Sequence, residues 1–240
     1  MPFEWTSFGA TDVGCVRQVN EDTFLNLPDA GLWVVADGMG GHAAGDYASG
    51  LIAEALADVK PAEDPDDFLD DVERRLVEVN RRLFERAIQT ERTIGSTVAA
   101  VLAFKRYFVA LWAGDSRVYR RSADGLEQIT RDHSQVEEMV AMGEIKREDA
   151  EDHPMSNVIT RAVGGARRLR LEARLQSLED YDRVLVCSDG LFKDLRKDDL
   201  DRLLVDGTAQ EACERLMAEA RERGGGDNIT AVVIDFREPS

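Results

Sequence analysis

The chain has 240 residues, 43% of them hydrophobic, enough to bury a substantial core within one large domain spanning residues 1–240. Its 30 lysines and arginines stand against 47 aspartates and glutamates, a formal charge of −17 that repels phosphate backbones and anionic lipid surfaces. No run approaches the roughly 18 apolar residues of a membrane span, and the opening MPFEWTSFGA lacks the basic and apolar regions of a signal peptide. The expectation is a cytoplasmic monomer with neither nucleic acid nor membrane as partner. Cys15, Cys187 and Cys213 are too few and too scattered for a disulfide framework or a zinc knuckle, and read as small core residues.

In chain order, GLWVVADG is the first strongly apolar run, a strand that ends on Asp37 and turns into glycines. A helix is predicted over Asp46 to Val59, and KPAEDPDD, residues 60–67, reads as a surface loop. From Asp66 to Arg92 the residues Phe68, Leu69, Val72, Leu76, Val79, Leu83 and Ala87 recur at three- and four-residue steps, an amphipathic helix that must cover a sheet. Strands follow over Thr97 to Phe104 and Tyr107 to Trp112, joined by a short turn, so antiparallel pairing is expected. Beyond them come an acidic helix-forming stretch after His133, the strand RVLVCSDG, a helix over Ala209 to Arg223 and the strand NITAVVIDF. The order is not regular βαβ winding, and it points to an α+β fold of antiparallel sheet covered by helices.

Carboxylates recur at the borders of these strands: Asp37 closes VVA, Asp115 closes LWAG, Asp189 closes VLVCS and Asp227 opens NITAVVIDF. A carboxylate at the edge of an apolar run bears a desolvation cost unless a positive charge compensates it. Taken singly each is an ordinary turn or cap residue; together, if the fold gathers them, they ask for a cation. Glu21 and Asp22 in VRQVNEDTF add two further oxygens, and an oxygen-only donor set suits Mg²⁺ or Mn²⁺. Gly38, Gly40 and Gly41 allow a sharp turn after Asp37 and leave the Gly38 carbonyl free to approach an ion. The same glycines fit a G-x-G-x-x-A dinucleotide pattern. Against that reading, Asp37 would set negative charge beside a pyrophosphate, and Asp58 falls inside a helix-like segment.

The segments TDVGCVRQVNEDTF, VVADGMGGHAAGDYAS, GSTVAAVL, LWAGDSRVYR, ITRDHS, NVITRAVGG, VLVCSDGL and GGDNITAVVI, in that order from Thr11 to Ile234, resemble the successive motifs of the PPM family, the type 2C metal-dependent protein serine/threonine phosphatases. The resemblance implies an α/β/β/α sandwich of two largely antiparallel sheets flanked by helices. It implies hydrolysis of phosphoserine and phosphothreonine by water activated between two divalent ions, Mn²⁺ or Mg²⁺, with a weaker third ion in bacterial members. By the same resemblance, Asp37 bridges the ions, Asp189 and Asp227 complete one site, and Glu21 with the Gly38 carbonyl complete the other. Asp115 with Asp189 matches the third site, Asp22 holds metal-bound water, and Asn228 orients Asp227 or its loop. Arg17 matches the arginine that grips the substrate phosphate, a task its planar fork suits better than a lysine. His42 is the candidate general acid, with a structural or water-holding hydrogen bond as the alternative. The eukaryotic pattern places the histidine directly after Asp-Gly, where this chain has Met39; here the histidine comes three residues later, as in bacterial relatives. His133 and His153 read as structural or flap residues.

Residues 133–165 correspond to the family's flap. Phe192-Lys193-Asp194 after SDGL departs from the usual small polar residue and acid. GLWVVADGMGGH and DGLFKDL resemble phosphatases of type VI secretion loci, which oppose a threonine kinase. The implied partners are phosphorylated proteins and a cognate serine/threonine kinase. A rival reading is a catalytically silent phosphoprotein-binding regulator, which would be expected to have lost acidic ligands.

Overall fold

The computed structural model describes residues 3–41, 43–61, 63–150 and 153–239. Among the described residues, eleven strands and six helices follow one another as β1 (Glu4–Asp12), β2 (Asp22–Leu27), β3 (Leu32–Met39), α1 (Ala43–Leu56), α2 (Pro65–Thr90), β4 (Gly95–Ser96), β5 (Val98–Phe104), β6 (Tyr107–Ala113), β7 (Arg117–Ser122), β8 (Gly125–Gln128), α3 (Gln135–Met142), β9 (Glu172–Ser177), β10 (Arg183–Cys187), α4 (Asp189–Phe192), α5 (Lys197–Leu203), α6 (Ala209–Glu222) and β11 (Ile229–Arg237). One sheet runs β1-β11-β10-β7-β8 and the other β2-β3-β5-β6-β9, with β4 paired to β3. The pairings are antiparallel.

Strand alternation sorts the core into three layers. Leu32, Val34 and Ala36 of β3 face outward onto α1 and α2, where Leu51, Ile52, Leu76 and Leu83 meet them. Trp33 and Val35, one residue out of phase, face the second sheet and pack with Val184, Val232 and Phe236. On the far side Leu185, Cys187 and Val233 receive Leu200, Cys213 and Leu216 of α5 and α6. The central strands are apolar on both faces because both faces are covered. This is the expected α/β/β/α sandwich.

Local chemistry sets the helix boundaries. Asp64 caps α2 by accepting from Asp66 N at 2.8 Å, Pro65 opens it, and Glu91 closes it in a left-handed turn at φ 52°. Thr208 and Glu211 form a reciprocal capping box at the start of α6. The three long helices fall within a few residues of their predicted spans. The prediction for the cysteines holds for Cys187 and Cys213, whereas Cys15 is exposed, in the turn where its N–H donates to Gly225 O at 2.7 Å. No described helix is long and apolar enough to cross a membrane.

Candidate active site

Five of the predicted acids meet at one end of the sandwich, where β2 and β11 begin and β3 and β10 finish. The β2–β3 register sets Asp22 directly opposite Asp37. Ser188, which follows β10, donates its N–H to Thr230 O at 3.1 Å, and this bond brings the loops carrying Asp189 and Asp227 together. Asp115 lies in the short turn between β6 and β7, and Thr97 joins that turn to β3. Its hydroxyl receives Asp37 N–H at 3.1 Å and lies 2.6 Å from the Ser116 hydroxyl.

The electrostatics are those of a like-charge cluster. The Asp37 carboxyl is pushed well above the usual carboxylate range by burial first, then by Asp189, Asp22, Asp115 and Asp227. Asp115 is raised to about 7 by burial and by Asp189 and Asp132, against the lowering effect of Lys193. Asp22 is raised to about 7 by burial, although Ser188 and Thr230 hydroxyls each donate to its Oδ2 at 2.7 Å. Nothing in the sequence had suggested that pair of hydroxyls. They fix one oxygen of a buried carboxylate and thereby its orientation toward the cluster.

Two side-chain cations enter this cluster. Arg17 donates to Asp227 Oδ2 at 2.8 Å with about half of its side chain exposed, and Lys193, one helical turn after Asp189, pairs with that carboxylate. Burial works to lower the Lys193 ammonium pKa, yet Asp189, Asp115 and Asp227 together raise it. Among the described residues, no group of three acids, histidines or cysteines is drawn together as a ready coordination shell.

The donor chemistry nonetheless fits hard divalent cations. A Cβ added at Gly45 would lie 2.5 Å from Glu21 Oε1 and 2.8 Å from Gly38 O, so only a bare α-carbon lets those two oxygens sit side by side. At Gly38 a Cβ would meet Gly45 O at 2.1 Å. Gly38 N–H also donates to Glu21 O at 3.1 Å, so the two residues expected to share one ion are hydrogen-bonded through their backbones. Gly45 escaped the sequence reading because it stands just before the helix predicted from Asp46, although α1 in fact begins at Ala43, and a glycine there carries no chemistry of its own.

Asn228 ties the remaining parts together. Its backbone N–H donates to Asp227 Oδ1 at 2.9 Å. Its amide donates to Val13 O and Val19 O at 2.9 and 3.0 Å, and its Oδ1 accepts from Glu21 N at 2.8 Å. One buried side chain therefore holds the loop that carries both Arg17 and Glu21. His42 lies outside the described residues. His133 is buried at the foot of the flap, stacked on Trp112 at 5.9 Å, and its Nδ1 accepts from Gly114 N at 3.1 Å, so its contacts are those of an internal brace.

A family profile described as protein phosphatase 2C matches residues 16–224. The serine/threonine phosphatase Stp of Listeria innocua is 32% identical over 238 residues, covering 94% of this chain and 93% of that one. PppA of Pseudomonas aeruginosa, described as a key regulatory component of its type VI secretion system, superposes with a TM-score of 0.91 at 38% identity, covering 98% of this chain and 99% of PppA. The catalytic domain of the phosphatase PstP, solved with two manganese ions, superposes with a TM-score of 0.87 at 31% identity, covering 98% of this chain and all of that domain (100%). The ordered motifs, the two-sheet sandwich and the acids gathered at one end of it agree with these matches, and the chain belongs to the protein phosphatase 2C family.

Proposed function

We propose that this protein is a metal-dependent serine/threonine phosphatase, which hydrolyses phosphoserine and phosphothreonine in proteins with two divalent cations, Mn²⁺ or Mg²⁺. The observation that carries the reading is the half-buried Asp37 carboxyl, set among four other aspartates whose charges oppose its ionisation. An arrangement so costly in a metal-free fold becomes favourable once cations neutralise it. The similarity to a phosphatase domain that holds two manganese ions supports the same conclusion.

Asp37, Asp189 and Asp227 would hold one ion, and Asp37, Glu21 and the Gly38 carbonyl the other. Asp115 and Asp189 would offer a weaker third position, for which the Lys193 ammonium competes. When bound, the ions supply an acidified water and neutralise charge on the phosphoryl group. Arg17, half exposed at the rim, swings its fork from Asp227 to two phosphoryl oxygens of the substrate. Asp22, oriented by Ser188 and Thr230, accepts a hydrogen bond from the attacking water and keeps it aimed. The leaving alkoxide needs a proton, and His42 is the residue we assign to give it. Residues 1–240 act as one monomeric catalytic domain in the cytoplasm, with the flap of residues 133–165 beside the site. The likeness to PppA supports a role in type VI secretion control; a bacterial serine/threonine kinase is the partner we assign it to oppose.

The test is release of phosphate from a phosphothreonine peptide and from p-nitrophenyl phosphate with Mn²⁺, with Mg²⁺ and with EDTA, beside Asp189→Ala. Metal-dependent turnover that vanishes in the variant is expected. Folded, Mn²⁺-loaded protein that releases no phosphate would instead make the chain a silent phosphoprotein binder.

A further inference from the structure

A groove of about 550 Å³ opens beside the candidate site, between Met39 and Thr93 on one side and the end of the flap with the segment after it on the other. Met39 is the residue after Gly38 and pairs with Gly95, so the groove begins where the proposed metal-binding backbone ends. Its other wall carries Arg161, Arg168 and Arg170. Residues 160–171 hold four arginines and no acid, in a chain whose formal charge is −17. Arg161 is engaged by Glu172 at 2.7 Å. Arg168 and Arg170, both exposed, make no ion pair or side-chain hydrogen bond among the described residues. Elsewhere surface arginines are mostly matched, as Arg81 is by Glu78 and Glu85 and Arg223 by Asp199 and Glu219.

The wall is built rather than loose. Asn80 sits buried within the apolar stripe of α2, where an amide is out of place unless fully bonded. It accepts from Gly164 N–H at 2.8 Å and donates to Ala166 O at 3.0 Å, which clamps the loop leading into Arg168 and Arg170. Ser96 and Val163 exchange backbone hydrogen bonds at 3.0 and 2.8 Å, which fixes the same loop to β4 beside Met39. The backbone leading into Arg168 and Arg170 is thus anchored along a groove beside the candidate site, with both guanidinium groups exposed and unmatched among the described residues.

We infer that this groove reads anionic side chains flanking the phosphorylated serine or threonine, with Arg168 and Arg170 as its specificity-determining residues. The inference rests on the phosphatase reading above. An extended substrate advances about 3.3 Å per residue, so a groove that starts at Met39 meets positions within a few residues of the phosphoamino acid. The chain's net negative charge disfavours acidic substrates in general, and the arginines along this wall offset it locally and favour a peptide lying with its acidic side toward them.

The experiment compares kcat/KM of the Mn²⁺-loaded full chain on three phosphothreonine peptides, flanked by Asp and Glu, by Asn and Gln, or by a second phosphothreonine. The variants are Arg168→Gln/Arg170→Gln and the charge-preserving Arg168→Lys/Arg170→Lys. Wild type should prefer the carboxylate-flanked peptide over the neutral one by about 5-fold at low salt, and the glutamine variant should lose that preference while the lysine variant keeps most of it. Turnover of p-nitrophenyl phosphate should be the same in all three proteins. A rate on the doubly phosphorylated peptide above both others would mark a second phosphoryl group as the better occupant of the same groove. Equal rates on all three peptides, or a preference that survives in the glutamine variant, would overturn the inference and leave the phosphatase reading standing. No turnover of p-nitrophenyl phosphate by wild type would overturn both.

Discussion

The two ends of β11 bury carboxylates in opposite ways. At its far end Asp235 lies across from Arg183 in the β10–β11 register and receives that guanidinium through Nε at 2.5 Å and Nη2 at 3.0 Å. Arg183 spends its other donors on Leu204 O and Gly207 O, so the charges are paired and the hydrogen bonds complete. Six residues back along the strand, about 20 Å away at strand spacing, the acids of the candidate site gather with two side-chain cations of the described residues, Arg17 and Lys193, reaching in. Arg17 is half exposed and Lys193 is a neighbour on the same short helix. A fold able to build a bidentate arginine clamp at one end has kept its catalytic end short of positive charge. On the proposed reading, the charge there comes from bound divalent cations.

That contrast can be broken from either side. Asp37→Asn should cost about 10³-fold in kcat/KM, because charge stabilisation at the phosphoryl group is the largest contribution such a site makes. The same variant in EDTA should melt at or above the wild-type temperature, since it removes a repelled charge. A clear fall in that melting temperature would mean Asp37 is a structural residue like Asp235. Asp235→Ala should do the reverse: urea titration should show a loss of about 3–5 kcal/mol from leaving Arg183 buried and unmatched. Its folded fraction should keep wild-type turnover.

The pH dependence of metal-free stability sharpens the comparison at a smaller scale. Asp22 and Asp115 carry pKa values raised to about 7 from an ordinary 3.8. Between those values the folded chain holds protons that the unfolded chain has released, so stability falls as pH rises through this window and levels off above about 7. The melting temperature in EDTA should drop between pH 5 and pH 7.5 by this reasoning, and Mn²⁺ at the upper pH should restore it. A rise over the same interval would contradict the buried like-charge cluster. The smallest expected effect is that of Lys193→Met, which should tighten the weakest Mn²⁺ binding step about 3-fold in calorimetry by removing a partly exposed competitor for Asp189.

Much of this was legible in the sequence for a physical reason. Asp37, Asp115, Asp189 and Asp227 stand out because each interrupts or borders an apolar run. The central strands stand out because both of their faces are covered. β1, reading EWTSFGATD, and β9, reading EARLQS, went unseen because edge strands half exposed to solvent carry mixed residues with no strong alternation. The supports of the site were hidden for another reason. Ser188, Thr230, Gly45 and Asn80 act through partners many residues away, and their types are common in turns and helices. Lys193 was visible only as a departure from a familiar pattern, and its contact with Asp189 supplies the meaning.

The Asn228 amide has a consequence for how the protein is made. It joins Val13, Val19 and Glu21 to a strand some two hundred residues later, and β1 finds its partner only in β11. Contacts of such long sequence separation form late, after the intervening chain has been synthesised and ordered. The loop bearing Arg17 and Glu21 is synthesised some two hundred residues before Asn228, and until then only contacts such as those of Gly38 N–H and the Ser49 hydroxyl with Glu21 O can hold it. An incomplete chain can pair Asp22 with Asp37 through β2 and β3 but lacks Asp189 and Asp227, so the acid cluster closes last at β11.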